Sequence, residues 1–179
     1  QCYRDKAERY VRMYGQTNFG AGGSIMDLPY VWKRYGAVPE EVYTGLQYGE
    51  DKHVHGELDA VLGAYIKEIV KKPNNKLSTA WMKGIEGILD AYLGAVPETF
   101  EYKGKTYTPK SYAESLPLKV DDYVPVTSFS HHPYYETFAV EVPDNWLWAQ
   151  YYNVPLDELK AIIDNSLAKG HTLVWAADV

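Results

Sequence analysis

Two imidazoles and a carboxylate stand close together in His53-Val54-His55-Gly56-Glu57, and an extended backbone would put both histidines on one face, as a metal ion requires. A metal centre also needs a third ligand in space, and the sequence specifies none, so the plainer expectation is a solvated run leading into a helix. His131-His132-Pro133 sits at the end of an expected strand, where neighbouring side chains point to opposite faces and make no natural chelate. His171 opens an apolar run and reads as a neutral, hydrogen-bonded histidine at a strand edge. Cys2 is the one cysteine, which excludes an internal disulfide. With no histidine and no glycine turn within ten residues of it, an ordinary thiol is expected rather than a nucleophile. Neither a Gly-x-Ser-x-Gly elbow nor a Gly-x-x-x-x-Gly-Lys phosphate loop occurs. Glu40-Glu41, Lys71-Lys72 and Asp121-Asp122 read as solvated faces.

The most suggestive local feature is Gly22-Gly23, at the end of Gln16-Thr17-Asn18-Phe19-Gly20-Ala21-Gly22-Gly23. Three glycines in four residues are hard to hold in a helix or a strand, so this is a loop. Without Cβ atoms another backbone can approach closely, and exposed main-chain N–H and C=O groups can pair with an extended peptide as an added strand. A plain turn leading into a helix is the simpler alternative.

The elements around the loop follow from periodicity. Ala7, Tyr10, Val11 and Tyr14 predict a helix over 5–14, with Gly15 placed to end it in a left-handed conformation. From Ser24 the pattern is helical again: either Ser24 caps it, or Asp27 does and Pro29 falls in the tolerated first turn, and Gly36 ends it. Residues 37–50 lack a period and read as a surface connection. An apolar stripe of Leu58, Val61, Leu62, Tyr65, Ile66, Ile69 and Val70 predicts a helix over 56–72, stopped by Pro73. Trp81, Ile85, Ile88, Leu89 and Tyr92 predict another over 78–93, and the short 72–76 link makes the two an antiparallel hairpin. Beyond 95 come an expected β-hairpin about Lys103-Gly104, strands over 123–130 and 137–142, a helix over 156–169 and an apolar, buried strand over 172–177. Helices first and mixed structure after make an α+β pattern, with parts at 1–95 and 96–179.

Composition narrows the classes further. With 179 residues, 46% hydrophobic and only 23% charged, the chain carries a core rather than a disordered tail. A formal net charge of −6 lacks the basic excess that a nucleic-acid backbone demands, so no such partner is expected. No apolar run approaches the roughly 18 residues of a membrane span, and Gln1-Cys2-Tyr3-Arg4-Asp5-Lys6 lacks signal-peptide order; a soluble mature segment with no membrane partner is the expectation. Seventeen tyrosines and five tryptophans suit either a groove for extended polymers or a wide aromatic core.

Gly22-Gly23-Ser24-Ile25-Met26-Asp27-Leu28 followed by Tyr35-Gly36-Ala37-Val38-Pro39 resembles the Gly-Gly, helix, Tyr-Gly-(Ile/Val)-x-Pro passage of papain-like cysteine peptidases. The opening Asp5-Lys6-Ala7-Glu8-Arg9-Tyr10, the helical hairpin and the closing run from Leu167 through Gly170-His171 to Asp178-Val179 are similar to the bleomycin hydrolase and aminopeptidase C branch, over nearly the whole chain. The resemblance implies a papain-like α+β fold in part. The helical part, 1–95, would carry the Gly-Gly loop and an inserted helical pair, and 96–179 the first strands of the β-rich domain.

It also implies peptide hydrolysis by a thiolate through an acyl-enzyme, with a histidine oriented by an asparagine. This sequence departs from that pattern, having no Gln followed shortly by Cys-Trp and no later Asn-Ser-Trp, while Cys2 is followed by Tyr3-Arg4. The expectation is therefore an internal segment, inactive alone, that begins after the nucleophile and stops before the histidine. Residue by residue, Gly22 and Gly23 carry over as the groove main chain that pairs with the substrate residue second from the cleaved bond. Ile25 carries over to the neighbouring side-chain pocket, and Val174 to a strand bordering it. The resemblance implies a peptide as partner and a homo-oligomeric parent with hexameric rings as a family form; no cofactor and no metal are expected, and the location is expected to be cytoplasmic, with a secreted or periplasmic one left open. The competing class is a non-catalytic peptide- or glycan-binding module, with Trp146, Trp148, Tyr151 and Tyr152 as a stacking platform. Aromatic core packing is the simpler account of those four.

Overall fold

The computed structural model describes residues 1–72 and 75–176, and mixes helices with small sheets in an α+β arrangement. The chain divides into two compact units: Gln1–Gly22 with Tyr30–Leu118, and Gly23–Pro29 with Lys119–Val179.

The first unit is built on α1 (Cys2–Arg12), whose Asp5 near the start and Arg9 and Arg12 near the end suit the helix dipole. Tyr14 and Gly15 turn the chain out with φ of 54° and 77°, and the Gly15 N–H donates to the Tyr10 carbonyl at 2.9 Å. Helix α2 (Asp27–Tyr35) begins in the second unit and ends in the first; Pro29 sits in its first turn, and Gly36 closes it at φ 84°. Helices α3 (Gly56–Val70) and α4 (Trp81–Leu93) run antiparallel, since the Tyr65 hydroxyl donates to the Trp81 carbonyl at one end and the Tyr92 hydroxyl to Glu57 at the other. Leu58, Leu62 and Ile66 of α3 face Ile85 and Leu89 of α4 and Ala7 and Val11 of α1 in one buried cluster. Each leucine, isoleucine or valine among them contributes about 1.5–3 kcal/mol when fully buried.

Sequence and structure differ in detail here. Val61 lies on the exposed side, because the spacing of Leu58, Leu62 and Ile66 sets a narrower face than the full stripe. Helix α4 starts three residues later than Ser78, whose hydroxyl accepts instead from the Ala80 N–H at 3.3 Å. The Pro73 stop and part of the 72–76 link lie outside the described residues. The 37–50 connection has no regular structure, but it is tied in: Pro39 and Gly45 are buried, and the Tyr43 hydroxyl reaches the Gly94 carbonyl at 2.9 Å.

Strands β1 (Phe100–Tyr102) and β2 (Lys105–Tyr107) form the expected hairpin, with Lys103 and Gly104 both left-handed at φ 49° and 75° as a two-residue turn demands. Helix α5 (Pro109–Ser115) was not foreseen, although its signals are present: Thr108 and Ser111 cap each other, and proline fills the first position. Its Tyr112 meets Phe100, Tyr102 and Tyr107 edge-on, with ring centroids 5.5–5.7 Å apart.

In the second unit β5 (Gln150–Asn153) is central, parallel to β3 (Val126–Thr127) and antiparallel to β4 (Thr137–Ala139), and α6 (Leu156–Ala168) follows. β3 and β4 are shorter than the runs expected at 123–130 and 137–142. Asn153 is fully buried: its Oδ1 accepts from the Phe129 N–H at 2.8 Å, and its Nδ2 donates to the carbonyls of Phe129, His132 and Pro133 at 2.9–3.1 Å. Asn145 fixes the turn before β5 in the same manner, through Val140 and Ala149. The buried strand expected over 172–177 is overturned in its described part, where 171–176 have no regular structure and Leu173, Val174 and Trp175 are exposed. Apolar sequence predicts burial only where a neighbouring strand accepts the ladder, and none of the described strands does.

Two substitutions check this packing. A Cβ at Gly36 would lie 2.3 Å from the Pro109 carbonyl carbon and oxygen at a left-handed φ. Gly36→Ala is therefore expected to cost more than about 2 kcal/mol, read from the urea midpoint; an unchanged midpoint contradicts the close approach. Asn153→Ala strands one buried donor and three carbonyls and is expected to cost about 3 kcal/mol, seen as early melting of β-sheet signals while the helical amides hold.

Candidate functional site

The glycine loop is positioned from α1 by two adjacent charged residues. The Lys6 side chain lies along the face that also carries Tyr3 and Tyr10, and the residue is only 6% exposed. Its Nζ donates to the Gly20 carbonyl at 3.2 Å and to the Gly22 carbonyl. Asp5, one residue earlier, accepts from the Tyr30 hydroxyl at 2.8 Å and the Tyr35 hydroxyl at 2.7 Å. Arg34 completes the arrangement, with Nε 3.0 Å from the Tyr35 hydroxyl and 3.8 Å from the Asp5 carboxylate. Both sets of contacts lie within the first unit: Lys6 holds Gly22, and Asp5 holds Tyr30. Within the second unit the Trp146 indole N–H donates to Asp27 Oδ2 at 2.8 Å. Ser24 shapes the lead into α2, its hydroxyl accepting from the Met26 N–H at 3.1 Å and its carbonyl from the Asp27 N–H at 3.0 Å.

Gly22 and Gly23 are both exposed, and Ile25 is half-buried. Among the described residues no hydrogen bond engages the Gly23 N–H or C=O. What this arrangement offers chemically is a stretch of fixed, accessible main chain.

The other sequence candidates fall elsewhere. His53 and His55 have ring centroids 5.5 Å apart, and Tyr48 lies 6.2 Å from His55. Among the described residues no group of three or more His, Cys, Asp or Glu side chains is gathered to hold a metal ion. His131 and His132 lie in a turn rather than at a strand end, and the His132 ring stacks on Phe138 at 3.8 Å. His171 is exposed rather than tucked at a sheet edge, for the reason that leaves 172–176 outside any sheet. Cys2 is half-buried at the start of α1. Trp146 is buried while Trp148 is 54% exposed at φ 55°, with Tyr151 half-buried and Tyr152 exposed. Val174 is 65% exposed and belongs to no strand.

Lys6 and Asp5 are the residues that sequence reasoning passed over. A trace was present, since Lys6 falls at i+3 from Tyr3 and i−4 from Tyr10, inside the apolar stripe where a lysine is out of place.

No protein-family model matches the sequence, and no curated protein matches it. In structure the class is an α+β fold shared with a solved protein. That protein is PepW from Lactobacillus rhamnosis HN001, which superposes with a TM-score of 0.61 at 19% identity, over 94% of this chain and 47% of that one. The chain therefore spans about half the length of PepW.

The carboxylate–tyrosine contacts set a pH dependence. Burial, then the hydrogen bond to Asp5, raises the pKa of Tyr30 and of Tyr35 above the ordinary tyrosine value, and burial with Asp59 does the same for Tyr3. A raised tyrosine pKa contributes stability that is fully present below the unfolded value of about 10 and is lost as pH climbs through the folded one. The chain is expected to hold its stability to about pH 10 and lose it above. In Asp5→Asn, tyrosinate absorbance should begin at lower pH; an unshifted titration refutes the coupling.

Proposed function

We propose that this chain is a segment of a thiol-dependent peptidase with the papain-like fold, of the bleomycin hydrolase and aminopeptidase C branch. In this reading the Gly22–Gly23 main chain binds an extended peptide substrate and Ile25 borders its side-chain pocket. The observation that carries it is the concurrence of two independent likenesses. The Gly-Gly, helix, Tyr-Gly-x-x-Pro passage resembles that family in sequence, and the fold is shared with PepW over 94% of the chain. The exposed, externally anchored glycine main chain supports the same reading, because strand addition needs donors and acceptors held still and open to solvent.

The chemistry assigned to the parent is attack of a thiolate on the scissile carbonyl, followed by hydrolysis of the acyl-enzyme. The 179 residues do not themselves hold a Cys-Trp nucleophile motif or Asn-Ser-Trp, so the segment is a binding and scaffolding part of the site. A cytoplasmic, homo-oligomeric parent, with a hexameric ring as one form, belongs to the same proposal.

Reading the coding sequence on either side tests it. Gln…Cys-Trp upstream with a His and Asn-Ser-Trp downstream is the expected result, and the full-length protein should then lose peptidase activity to a thiol alkylator while the 179-residue chain shows none. Unrelated flanking sequence, or activity indifferent to alkylation, would sink the proposal.

A further inference from the structure

The run Gly20-Ala21-Gly22-Gly23 has no side chain with which to hold itself, and glycine backbone is the most costly to order. A main chain that adds a strand to a peptide must nonetheless present its N–H and C=O in one fixed direction, or the bound state bears the full cost of ordering it. Here the order comes from outside the loop. Lys6 Nζ donates to two carbonyls two residues apart, Gly20 and Gly22, and a buried ammonium tolerates its surroundings only while such acceptors are in place.

The geometry of one peptide unit then reaches further. The Gly22 carbonyl and the Gly23 N–H belong to the same planar group, and no peptide bond in the described chain is cis. In a trans unit the two point in opposite directions. Fixing the carbonyl on the buried ammonium therefore aims the Gly23 N–H away from Lys6, and Gly23 is exposed.

We infer that Lys6 is a positioning residue that aims the Gly23 N–H at a backbone carbonyl of an extended peptide by holding the Gly22 carbonyl behind it. This rests on the groove reading given above and adds a residue to it. Lys6 acts through the peptide plane and touches no substrate. Asp5, the neighbouring residue, holds Tyr30 and Tyr35 within the same unit as Lys6 and Gly22.

The test follows backbone amides of the whole chain by NMR while N-acetyl-tetraalanine amide is titrated in. The unsubstituted chain is expected to show a saturable downfield shift of the Gly23 amide proton. Lys6→Met, which keeps the apolar stem and removes the donors, is expected to weaken that binding by about tenfold, because roughly one residue of glycine backbone must then be ordered on binding. The amides of α3 and α4 report that the variant is folded; should it lose them, Lys6→Gln, with a donor of shorter reach, gives the same comparison. Lys6→Met binding the peptide as tightly as the unsubstituted chain overturns the role of Lys6 and leaves the groove reading intact. No Gly23 shift in the unsubstituted chain overturns the groove reading, and this inference with it.

Discussion

The constraint on which the first unit turns is the removal of two adjacent opposite charges from water on a single turn of α1. Ion pairing between neighbours would waste them, since side chains at i and i+1 of a helix diverge. Each finds hydrogen-bonding partners beyond its neighbour: the Asp5 carboxylate takes two phenol hydroxyls beside the Arg34 guanidinium, and the Lys6 ammonium donates to two glycine carbonyls. Hydrogen bonds to a charged group are worth roughly 1.5–3 kcal/mol, twice a neutral pair, and far more is lost if the charge is left alone. The loop and the end of α2 are therefore positioned by groups that tolerate little displacement. The aliphatic cluster under α1, α3 and α4 supplies bulk stability, but it is the polar pair that decides where the glycines lie.

Much of the helical half was legible because each helix announces both its stripe and its stop. Gly15, Gly36, Gly94 and Gly170 all adopt the left-handed φ that their positions suggested, and Lys103-Gly104 made the hairpin plain. The second unit was harder to read for a physical reason: its strands are two to four residues long, too short for alternation to register. β5 is the clearest case, since Gln150-Tyr151-Tyr152-Asn153 has no apolar period and its inward residue is an asparagine. A buried amide that satisfies four main-chain groups leaves no hydrophobic trace. The error at 172–176 has the opposite origin, for there the sequence carries a strong apolar trace and no described strand pairs with it.

Of the candidate site, the glycine pair was legible from spacing and its anchor was not. A glycine loop states only that backbone must be close to something; which group holds it is a tertiary fact. The abundance of tyrosine is likewise explained only in three dimensions. Tyrosines serve as hydroxyl donors to Asp5, Asp59, Glu57 and Glu158, and as an edge-on ring cluster around Tyr112, rather than as one continuous aromatic face.

The helical core also fixes an order of events during synthesis. Of the three helices that share this core α1 is made before the other two, and the partners that cover Ala7 and Val11 lie on α3 and α4, so its apolar face is fully covered only once Leu89 has left the ribosome. Through that interval the nascent chain carries an amphipathic helix with an unmatched face and a lysine whose carbonyl partners in the glycine loop are not yet held in place. Between the synthesis of α1 and that of α4 this face is open apolar surface of the kind a holdase binds.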